Sequence, residues 1–169
     1  MTDRDLLERR TESLARASVE TVVRKKLLTL RVAGERYAID PAAIRVVAEL
    51  RRVTPLPHMP PRVLGLTAHA GTVIPVFDLR AVLGLPLTSL PEYGRIVVCG
   101  EPGDELALAV EGVEDDASVD DTDLLPMPAT AGQALRAVAR GMARGGVVVL
   151  DHQALLASEL LFVDAPLPR

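Results

Sequence analysis

The chain is 169 residues long, carries a net charge of −4, and contains 49% hydrophobic and 25% charged residues, so wholesale disorder is excluded. This length suits one domain or two small subdomains that share a core. Tryptophan is absent and the aromatic residues are two tyrosines and two phenylalanines, which argues against a nucleic-acid binder, since such proteins stack bases on exposed rings.

An N-terminal helix is the first predicted element, over residues 3–24. Leu7 and Leu14 lie seven residues apart and no proline or glycine interrupts the stretch, as expected for one face of a helix. The apolar stripe is thin, so we expect this helix to dock weakly or to lead into the domain. The segment lacks the apolar core of a signal sequence, and no apolar run approaches membrane-spanning length, which predicts a cytoplasmic protein.

After this helix the hydrophobic period changes to two, which is typical of strands. Leu28, Leu30 and Val32 alternate with polar residues, and the chain returns through a second strand at 36–40. Further strands are predicted at 62–68, 72–77, 95–100, 105–110, 113–119, 136–142 and 147–151, and short helical turns at 41–47, 79–83 and 151–158. Thirteen prolines and twelve glycines break these runs, which favours small barrels over a parallel sheet with crossover helices. We expect an all-β fold with peripheral helices and find no convincing internal repeat.

The spacing of histidine, cysteine and acidic residues indicates no metal site. His58, His69 and His152 lie at no metal-ligand spacing from one another or from the single cysteine. The acidic run at 114–123 lacks the turn glycine and the final glutamate of an EF-hand loop, so a solvated loop is favoured over a calcium site. We expect Cys99 to be a buried, inert thiol. No metal and no cofactor are therefore predicted.

Catalytic motifs are absent from the sequence as well. No serine lies in a G-x-S-x-G context, and there is neither a Walker phosphate loop nor a G-x-G-x-x-G motif. An enzyme that uses Asp115 and Asp116 is an alternative, but adjacent carboxylates on a strand point to opposite faces, which suits a shared general-acid site poorly. We therefore predict no catalytic residues and no enzymatic activity.

The charges are unevenly distributed along the chain. Residues 31–80 carry more arginines than acids, whereas residues 101–123 carry many acids and no lysine or arginine. Such a polar molecule is suited to head-to-tail contacts with similar modules. Solvated loops are the simpler explanation of the same pattern.

Five segments, in order, resemble the CheW-like domain family. The most specific is GLTAHAGTVIPVFDLRAVLGLP, which is similar to the signature region of that family. The five segments lie at 27–47, 53–65, 65–86, 106–115 and 141–156. The resemblance implies two small five-stranded β-barrels packed around a shared apolar core, with short peripheral helices. It divides the chain into an N-terminal helical extension at 1–26, a CheW-like domain at 27–158 and a C-terminal tail at 159–169.

The resemblance also implies a function and two binding surfaces. CheW-like proteins of this kind are non-enzymatic adaptors that couple the regulatory domain of a CheA-type histidine kinase to the cytoplasmic tip of methyl-accepting chemoreceptors. They join other CheW-like modules in rings, bind no nucleic acid and do not insert into the membrane. By position, the kinase-binding residues are Leu28, Pro41 and Ile44. The receptor-binding residues are Val46, Ala68, His69, Ala70, Ala109 and Val113.

The chain departs from the family pattern at the receptor groove. The Asn-Leu-Arg-Gly motif of the family reads Ala-His-Ala-Gly at 68–71, so Ala70 stands where the resemblance places an arginine, and Val46 stands where it places the paired acid. Losing one partner of such a pair strands a charge, whereas losing both together is tolerable. His69 is read either as a pH-sensitive contact or as a partly exposed residue that fills space.

Two alternatives to the chemotaxis adaptor remain from the sequence. One is a divergent CheW-like scaffold of a non-chemotaxis kinase pathway that binds only one of the two partners. The other, of a different class, is a small-barrel nucleic-acid-binding module, since such barrels often bind oligonucleotides. The acidic half and the few aromatic residues weigh against that second alternative.

Overall fold

The structure, a computed structural model, describes residues 24–86, 92–120 and 123–162. Within these ranges it contains ten strands: β1 (Arg24–Val32), β2 (Glu35–Ile39), β3 (Ile44–Glu49), β4 (Val63–His69), β5 (Thr72–Asp78), β6 (Arg95–Cys99), β7 (Leu106–Val110), β8 (Gly112–Asp120), β9 (Ala139–Ala143) and β10 (Val147–Leu150). The short helices of the same ranges are α1 (Leu79–Val82), α2 (Gln133–Val138) and α3 (His152–Leu156), with 3₁₀ turns at Pro41–Ala43 and Glu159–Leu161.

The strands form two five-stranded sheets, each curled into a small barrel. Barrel 1 has the strand order β8-β1-β2-β10-β9, and barrel 2 has the order β3-β6-β7-β5-β4. In each sheet an isolated bridge joins one edge strand to the segment that follows the other edge strand. Thr54, after β3, and Leu66 exchange hydrogen bonds of 2.8 and 2.9 Å in barrel 2, and Leu125, after β8, and Met142 exchange hydrogen bonds of 2.9 and 2.8 Å in barrel 1. The all-β fold predicted from the sequence is thereby confirmed.

A glycine lies at the closing bridge of each barrel. Gly65 has a φ of +140°, and a Cβ atom there would lie 2.1 Å from the carbonyl oxygen of Thr54. Gly141 has a φ of +158°, and its Cβ would lie 2.7 Å from the carbonyl oxygen of Leu125. Only a residue without a side chain lets the two backbones approach this closely.

The two barrels exchange hairpins between two halves of the chain. The hairpin β1–β2 lies in one sheet with β8, β9 and β10 and pairs with β8 and β10. The hairpin β6–β7 lies in one sheet with β3, β4 and β5 and pairs with β3 and β5. Each half of the chain therefore consists of a hairpin, then three strands, then a short helix that ends the half. The hairpin of each half completes the sheet formed by the three strands of the other half. The repetition is one of strand order, which does not require similar residues, so it is compatible with the absence of a convincing repeat in the sequence.

Equivalent hydrogen bonds recur in the two halves. The N–H of Asp78 donates to the carbonyl of Arg62 at 2.8 Å, and the N–H of Asp151 donates to the carbonyl of Val138 at 2.8 Å. Each aspartate immediately precedes a short helix and caps it with its own side chain. These matched contacts place Asp78 and Asp151 at equivalent positions of the two halves.

The largest apolar cluster lies between the barrels, and smaller clusters fill each interior. Strand β7 shows how one strand serves two clusters. Leu106, Leu108 and Val110 pack into the cluster between the barrels, whereas Ala107 and Ala109 face the interior of barrel 2. Alternation of large and small side chains suits a small barrel, whose interior has little room.

Two predicted elements were wrong in type. The helical turn predicted at 41–47 ends at Ala43, and β3 begins at Ile44. Asp40 caps a short turn, but the β-branched residues that follow pair with β6. The strand predicted at 136–142 is divided, because α2 covers Gln133–Val138 and β9 begins only at Ala139. Alanine and leucine are strong helix formers, and here their local preference prevails.

The predicted domain boundaries also shift. Strand β1 begins at Arg24, so the last residues assigned to the extension at 1–26 belong to barrel 1, and the rest of the helix predicted at 3–24 lies outside the described residues. The acidic run interpreted as a loop belongs to β8 as far as Asp120. Near the C-terminal boundary, Leu161 is 6% exposed and packs on the cluster between the barrels. The first residues of the tail predicted at 159–169 therefore belong to the core of the domain.

Candidate functional site

A cavity of about 360 Å³ opens at the mouth of barrel 2. Three residues predicted for the receptor groove line it, namely Val46 on β3 and the pair His69 and Ala70 at the β4–β5 turn. Its remaining lining residues are Arg45, Thr72, Ile74, Val98 and Glu105. The structure therefore brings three of the six predicted receptor-binding residues together around one concave surface.

The β4–β5 turn positions two of these residues. Ala70 and Gly71 have φ angles of +47° and +82°, which is the pattern of a two-residue hairpin turn whose twist matches that of the strands. His69 pairs with Thr72 across the turn and is half-buried. The tight turn holds the imidazole and Ala70 at the rim of the cavity.

An ion pair lies across the cavity. Arg45 Nη2 and Glu105 Oε1 are 3.8 Å apart, with side-chain exposures of 41% and 17%. The backbone N–H of Gly103 donates to Glu105 Oε2 at 3.0 Å. Sequence reasoning missed both Arg45 and Glu105, because Arg45 lies on β3 and Glu105 immediately precedes β7, and they meet only through the pairing of both strands with β6. Local sequence carries no signal of that strand order.

The other predicted receptor-binding residues lie elsewhere. Ala68 is exposed and pairs with the exposed Val73 on the hairpin outside the cavity. Ala109 is 1% exposed, inside barrel 2, and Val113 lies on β8 of barrel 1, half-buried against the cluster between the barrels. The six residues therefore do not share one surface, and Ala109 is closed to direct contact in this conformation.

The predicted kinase-binding residues lie near the junction of the barrels. Leu28 and Ile44 are half-buried and pack on the cluster between the barrels. Pro41 is exposed on the 3₁₀ turn, which β1 contacts. These three residues are hereafter called the junction patch.

The cap of the 3₁₀ turn holds this patch in place. The Asp40 side chain accepts a hydrogen bond from the N–H of Ala42 at 2.9 Å and forms an ion pair with Lys25. The contact with the Lys25 ammonium, together with the Ala42 hydrogen bond, lowers the pKa of Asp40 below its ordinary value. The turn therefore carries a charged anchor next to an exposed apolar residue.

The remaining ionisable side chains of interest are structural. Burial raises the pKa of Cys99 to about 11, so its thiol stays protonated at neutral pH, in agreement with the predicted inert cysteine.

Asp78 and Arg80 are buried, 3.8 Å apart, and burial, with a hydrogen bond to Asp78, raises the pKa of Tyr93. This buried cluster ties the start of α1 to the segment that leads into β6.

Neither a metal-ligand cluster nor a membrane-spanning helix occurs in the part of the chain that the structure describes. Across residues 24–86, 92–120 and 123–162, no group of histidine, cysteine and acidic side chains is arranged to hold a metal ion. In that same part of the chain, no helix has the length and apolar character needed to span a bilayer.

Comparison with known proteins decides the family. A family model of the CheW-like domain matches residues 26–160. The chain belongs to the CheW-like family. It is 30% identical over 118 residues to the chemotaxis protein CheW of Rhizobium meliloti (strain 1021), which covers 70% of this chain and 76% of that protein. The resemblance inferred from five sequence segments is thus confirmed.

Two further CheW relatives agree with this assignment. The chemotaxis protein CheW of Bacillus subtilis (strain 168) is 26% identical over 104 residues, covering 62% of this chain and 67% of the relative. The crystal structure of scaffolding protein TtCheW from Thermoanaerobacter tengcongensis matches with a TM-score of 0.67 at 22% identity, covering 84% of this chain and 95% of the other. The latter match shows that the CheW-like fold is shared.

Proposed function

We propose that this protein is a non-enzymatic chemosensory adaptor that couples a CheA-type histidine kinase to methyl-accepting chemoreceptors in the cytoplasm. The observation that carries this proposal is the CheW-like match over residues 26–160, with both barrels of the fold in place. The relatives are chemotaxis proteins by name, and the solved relative is called a scaffolding protein. In this proposal the protein acts by binding its partners and catalyses no reaction.

The kinase regulatory domain is proposed to dock on the junction patch. Pro41 provides an exposed apolar contact with little conformational entropy to lose. Leu28 and Ile44 lie half-buried behind it and are supported by the core. Apolar side chains held by a rigid base are the usual anchors of a protein interface.

The receptor tip is proposed to dock at the mouth of barrel 2. Val46, His69 and Ala70 line the cavity there, and Ala68 is exposed beside it. Ala109 and Val113 are then supporting residues that pack behind the contact surface. Further CheW-like modules, joined in rings, are proposed partners of the same two surfaces, since head-to-tail contacts close into rings when the rotation allows.

A charge at Pro41 tests the kinase contact. Pro41→Asp should weaken binding of the CheA-type regulatory domain about tenfold, measured by calorimetry, because it places a carboxylate in an apolar contact. Leu125→Asp is the matched control, since Leu125 is 54% exposed and lies outside the junction patch. Equal affinities for the two variants would remove the junction patch from the proposal. Failure of the unaltered protein to bind any kinase regulatory domain of its own organism would remove the adaptor function.

Restoring the missing ion pair tests the receptor contact. Because Val46 and Ala70 line the same cavity, Ala70→Arg with Val46→Glu should let the new charges pair and change affinity for a receptor-tip fragment about tenfold. Kinase affinity should stay unchanged, since Pro41 is untouched. Each single substitution is the control, because it adds one charge without its partner. Unchanged receptor affinity in the double variant contradicts the groove assignment.

One observation favours a second candidate, a scaffold that binds the kinase but not the receptor. The two groove positions carry Val46 and Ala70 and no charges of their own. In that case the unaltered protein binds the kinase domain and not the receptor tip, and the double substitution, which supplies both charges, should create receptor affinity. The two calorimetric titrations above therefore separate the candidates.

A further inference from the structure

We propose that the cavity at the mouth of barrel 2 receives the guanidinium group of an arginine from a partner protein. The inference concerns the side chain that enters, and so goes beyond the adaptor function proposed above. It does not depend on which protein supplies the arginine. Four observations carry it: the equivalence of the two barrels, the carboxylate of Glu105, the apolar walls and the distance to Arg45.

Barrel 1 already contains an arginine at the corresponding place. Arg36 Nη2 donates to the carbonyl oxygen of Gly145 at 3.0 Å. Arg36 lies near the start of β2, and Gly145 lies in the β9–β10 turn. The guanidinium therefore connects the hairpin lent by one half of the chain to the turn of the other half.

Strand pairing identifies the counterpart of Arg36 in barrel 2. Ala38 pairs with Val149, two residues before the aspartate that caps α3, and Ala107 pairs with Val76, two residues before the aspartate that caps α1. Ala107 is thus equivalent to Ala38, and Glu105 is equivalent to Arg36.

Glu105 cannot repeat the role of Arg36. A carboxylate accepts hydrogen bonds and has no N–H to donate to a turn carbonyl. The start of β7 is therefore not tied to the β4–β5 turn by a side chain of this kind, and the cavity lies between them, with His69 and Ala70 on one side and Glu105 on the other. Where the exposed Arg36 side chain reaches a turn carbonyl in barrel 1, barrel 2 has the Glu105 carboxylate beside an open cavity.

The lining of the cavity fits an arginine side chain along its length. Val46, Ile74 and Val98 form apolar walls, against which the methylene stem of an arginine packs well. Glu105 provides a carboxylate with 17% side-chain exposure, the acceptor that a planar guanidinium pairs with best. The volume of about 360 Å³ is at the small end for ligand pockets, roughly 300–1,000 Å³, as suits one side chain.

The arginine of the chain itself leaves room for a guest. Arg45 lies 3.8 Å from Glu105 and is 41% exposed, whereas a charge-assisted hydrogen bond between such groups is about 2.7–2.9 Å long. A guest guanidinium at hydrogen-bond distance therefore gains a contact that Arg45 does not make. Arg45 would attract an acidic guest and Glu105 would repel it, but Glu105 is the more buried of the two, with 17% against 41% of its side chain exposed. Charges interact more strongly where water is scarce, so the Glu105 carboxylate favours a cationic guest.

Small probes test the inference on the full-length protein by nuclear magnetic resonance titration. N-acetyl-arginine amide should shift the amides of His69, Thr72 and Val98 saturably, with a Kd on the order of a few millimolar. The isosteric but uncharged N-acetyl-citrulline amide should bind at least tenfold more weakly. Glu105→Gln should reduce the affinity for the arginine probe by about tenfold, whereas the matched control Glu101→Gln, an exposed acid of the same loop, should leave it unchanged.

Three results overturn the proposal. They are shifts that do not localise to the cavity, equal affinity for the citrulline and arginine probes, and tighter binding of N-acetyl-glutamate amide. The citrulline comparison uses the unaltered chain, so it holds even if Glu105→Gln disturbs the fold. Kinase and receptor titrations are separate measurements, so a negative result here is distinguishable from failure of the adaptor function.

Discussion

Single residues decide whether the barrels close. Gly65 and Gly141 lie where the backbone of one edge strand meets the segment that bridges to it, and a Cβ atom at either would enter a carbonyl oxygen of the neighbouring chain segment. Neither glycine lines the cavity or belongs to the junction patch. Their role is to let the ends of each sheet meet.

Gly65→Ala should therefore destabilise the protein strongly. The substitution combines a clash with the carbonyl oxygen of Thr54, 2.1 Å from the added atom, with a φ of +140° that favours glycine, for an expected loss of about 3 kcal/mol. Gly103→Ala is the control, because a Cβ there meets nothing within 4 Å and only the cost of its positive φ remains, about 1 kcal/mol. Urea unfolding measures both, and similar losses would contradict the role given to the closing bridge.

Asp40 should make stability depend on pH. Because the Lys25 contact lowers the pKa of Asp40 in the folded state, its stabilising effect is complete above the unfolded pKa of about 3.9 and is lost as the pH falls through the folded pKa. Asp40→Asn keeps an oxygen for the cap but loses the ion pair, so it should cost about 0.5–1 kcal/mol at pH 7. Urea unfolding should show that this difference shrinks below about pH 4. A difference that is constant from pH 7 to pH 3 would contradict the ion-pair explanation.

At the scale of elements, the two capping aspartates occupy equivalent positions but are expected to contribute differently to the free energy of unfolding. Asp78 and Asp151 both cap short helices, with hydrogen bonds of 2.9 Å to Arg80 N and to Gln153 N. Asp78 is 4% exposed and lies beside the buried Arg80 guanidinium. Asp151 is only partly buried.

Asp78→Ala should be far more costly than Asp151→Ala. The first substitution removes a carboxylate from beside a buried guanidinium as well as a cap, for an expected loss of about 3 kcal/mol or more. The second removes a cap alone, about 1 kcal/mol. Thermal or urea unfolding of the two variants provides the comparison. Equal losses would show that the ion pair with Arg80 contributes little.

Elements with a clear local pattern were predictable, and those decided by pairing were not. Strand β7 was predicted because Leu106, Leu108 and Val110 alternate with alanines, and the structure uses that alternation. Strand β3 was missed because Pro41 and the residues after it resemble a helix start, while their strand conformation depends on pairing with β6. The same reason hid the Arg45–Glu105 pair. Val46, His69 and Ala70 of the cavity were predicted from the family resemblance. A family pattern reflects the strand pairing of the shared fold, which local sequence does not.

At the scale of the whole molecule, the exchanged hairpins join the two barrels into one folding unit. Barrel 1 takes two of its five strands from the first half and three from the second, and barrel 2 does the reverse. The large cluster between the barrels contains residues of both halves, such as Tyr37 and Leu108. Neither half can complete a barrel or bury its part of that cluster alone.

A cut between the halves tests this interdependence. The fragments 1–90 and 91–169, separated in the connection between α1 and β6, should each be unfolded when purified alone, by circular dichroism, because each lacks the hairpin that completes its sheet. Mixed in equal amounts they should regain the spectrum of the uncut chain and its cooperative unfolding. Cooperative unfolding of either fragment alone would show that a half is an independent domain.

The hairpin exchange also determines when the protein can fold during its own synthesis. Strands β1 and β2 leave the ribosome early, but β9 and β10, which complete their barrel, are near the end of the described chain. At roughly 5–20 residues per second, the first hairpin waits on the order of ten seconds with an unpaired edge. During that wait a second nascent copy offers the same strands, so intertwined dimers are the characteristic error to expect of this topology.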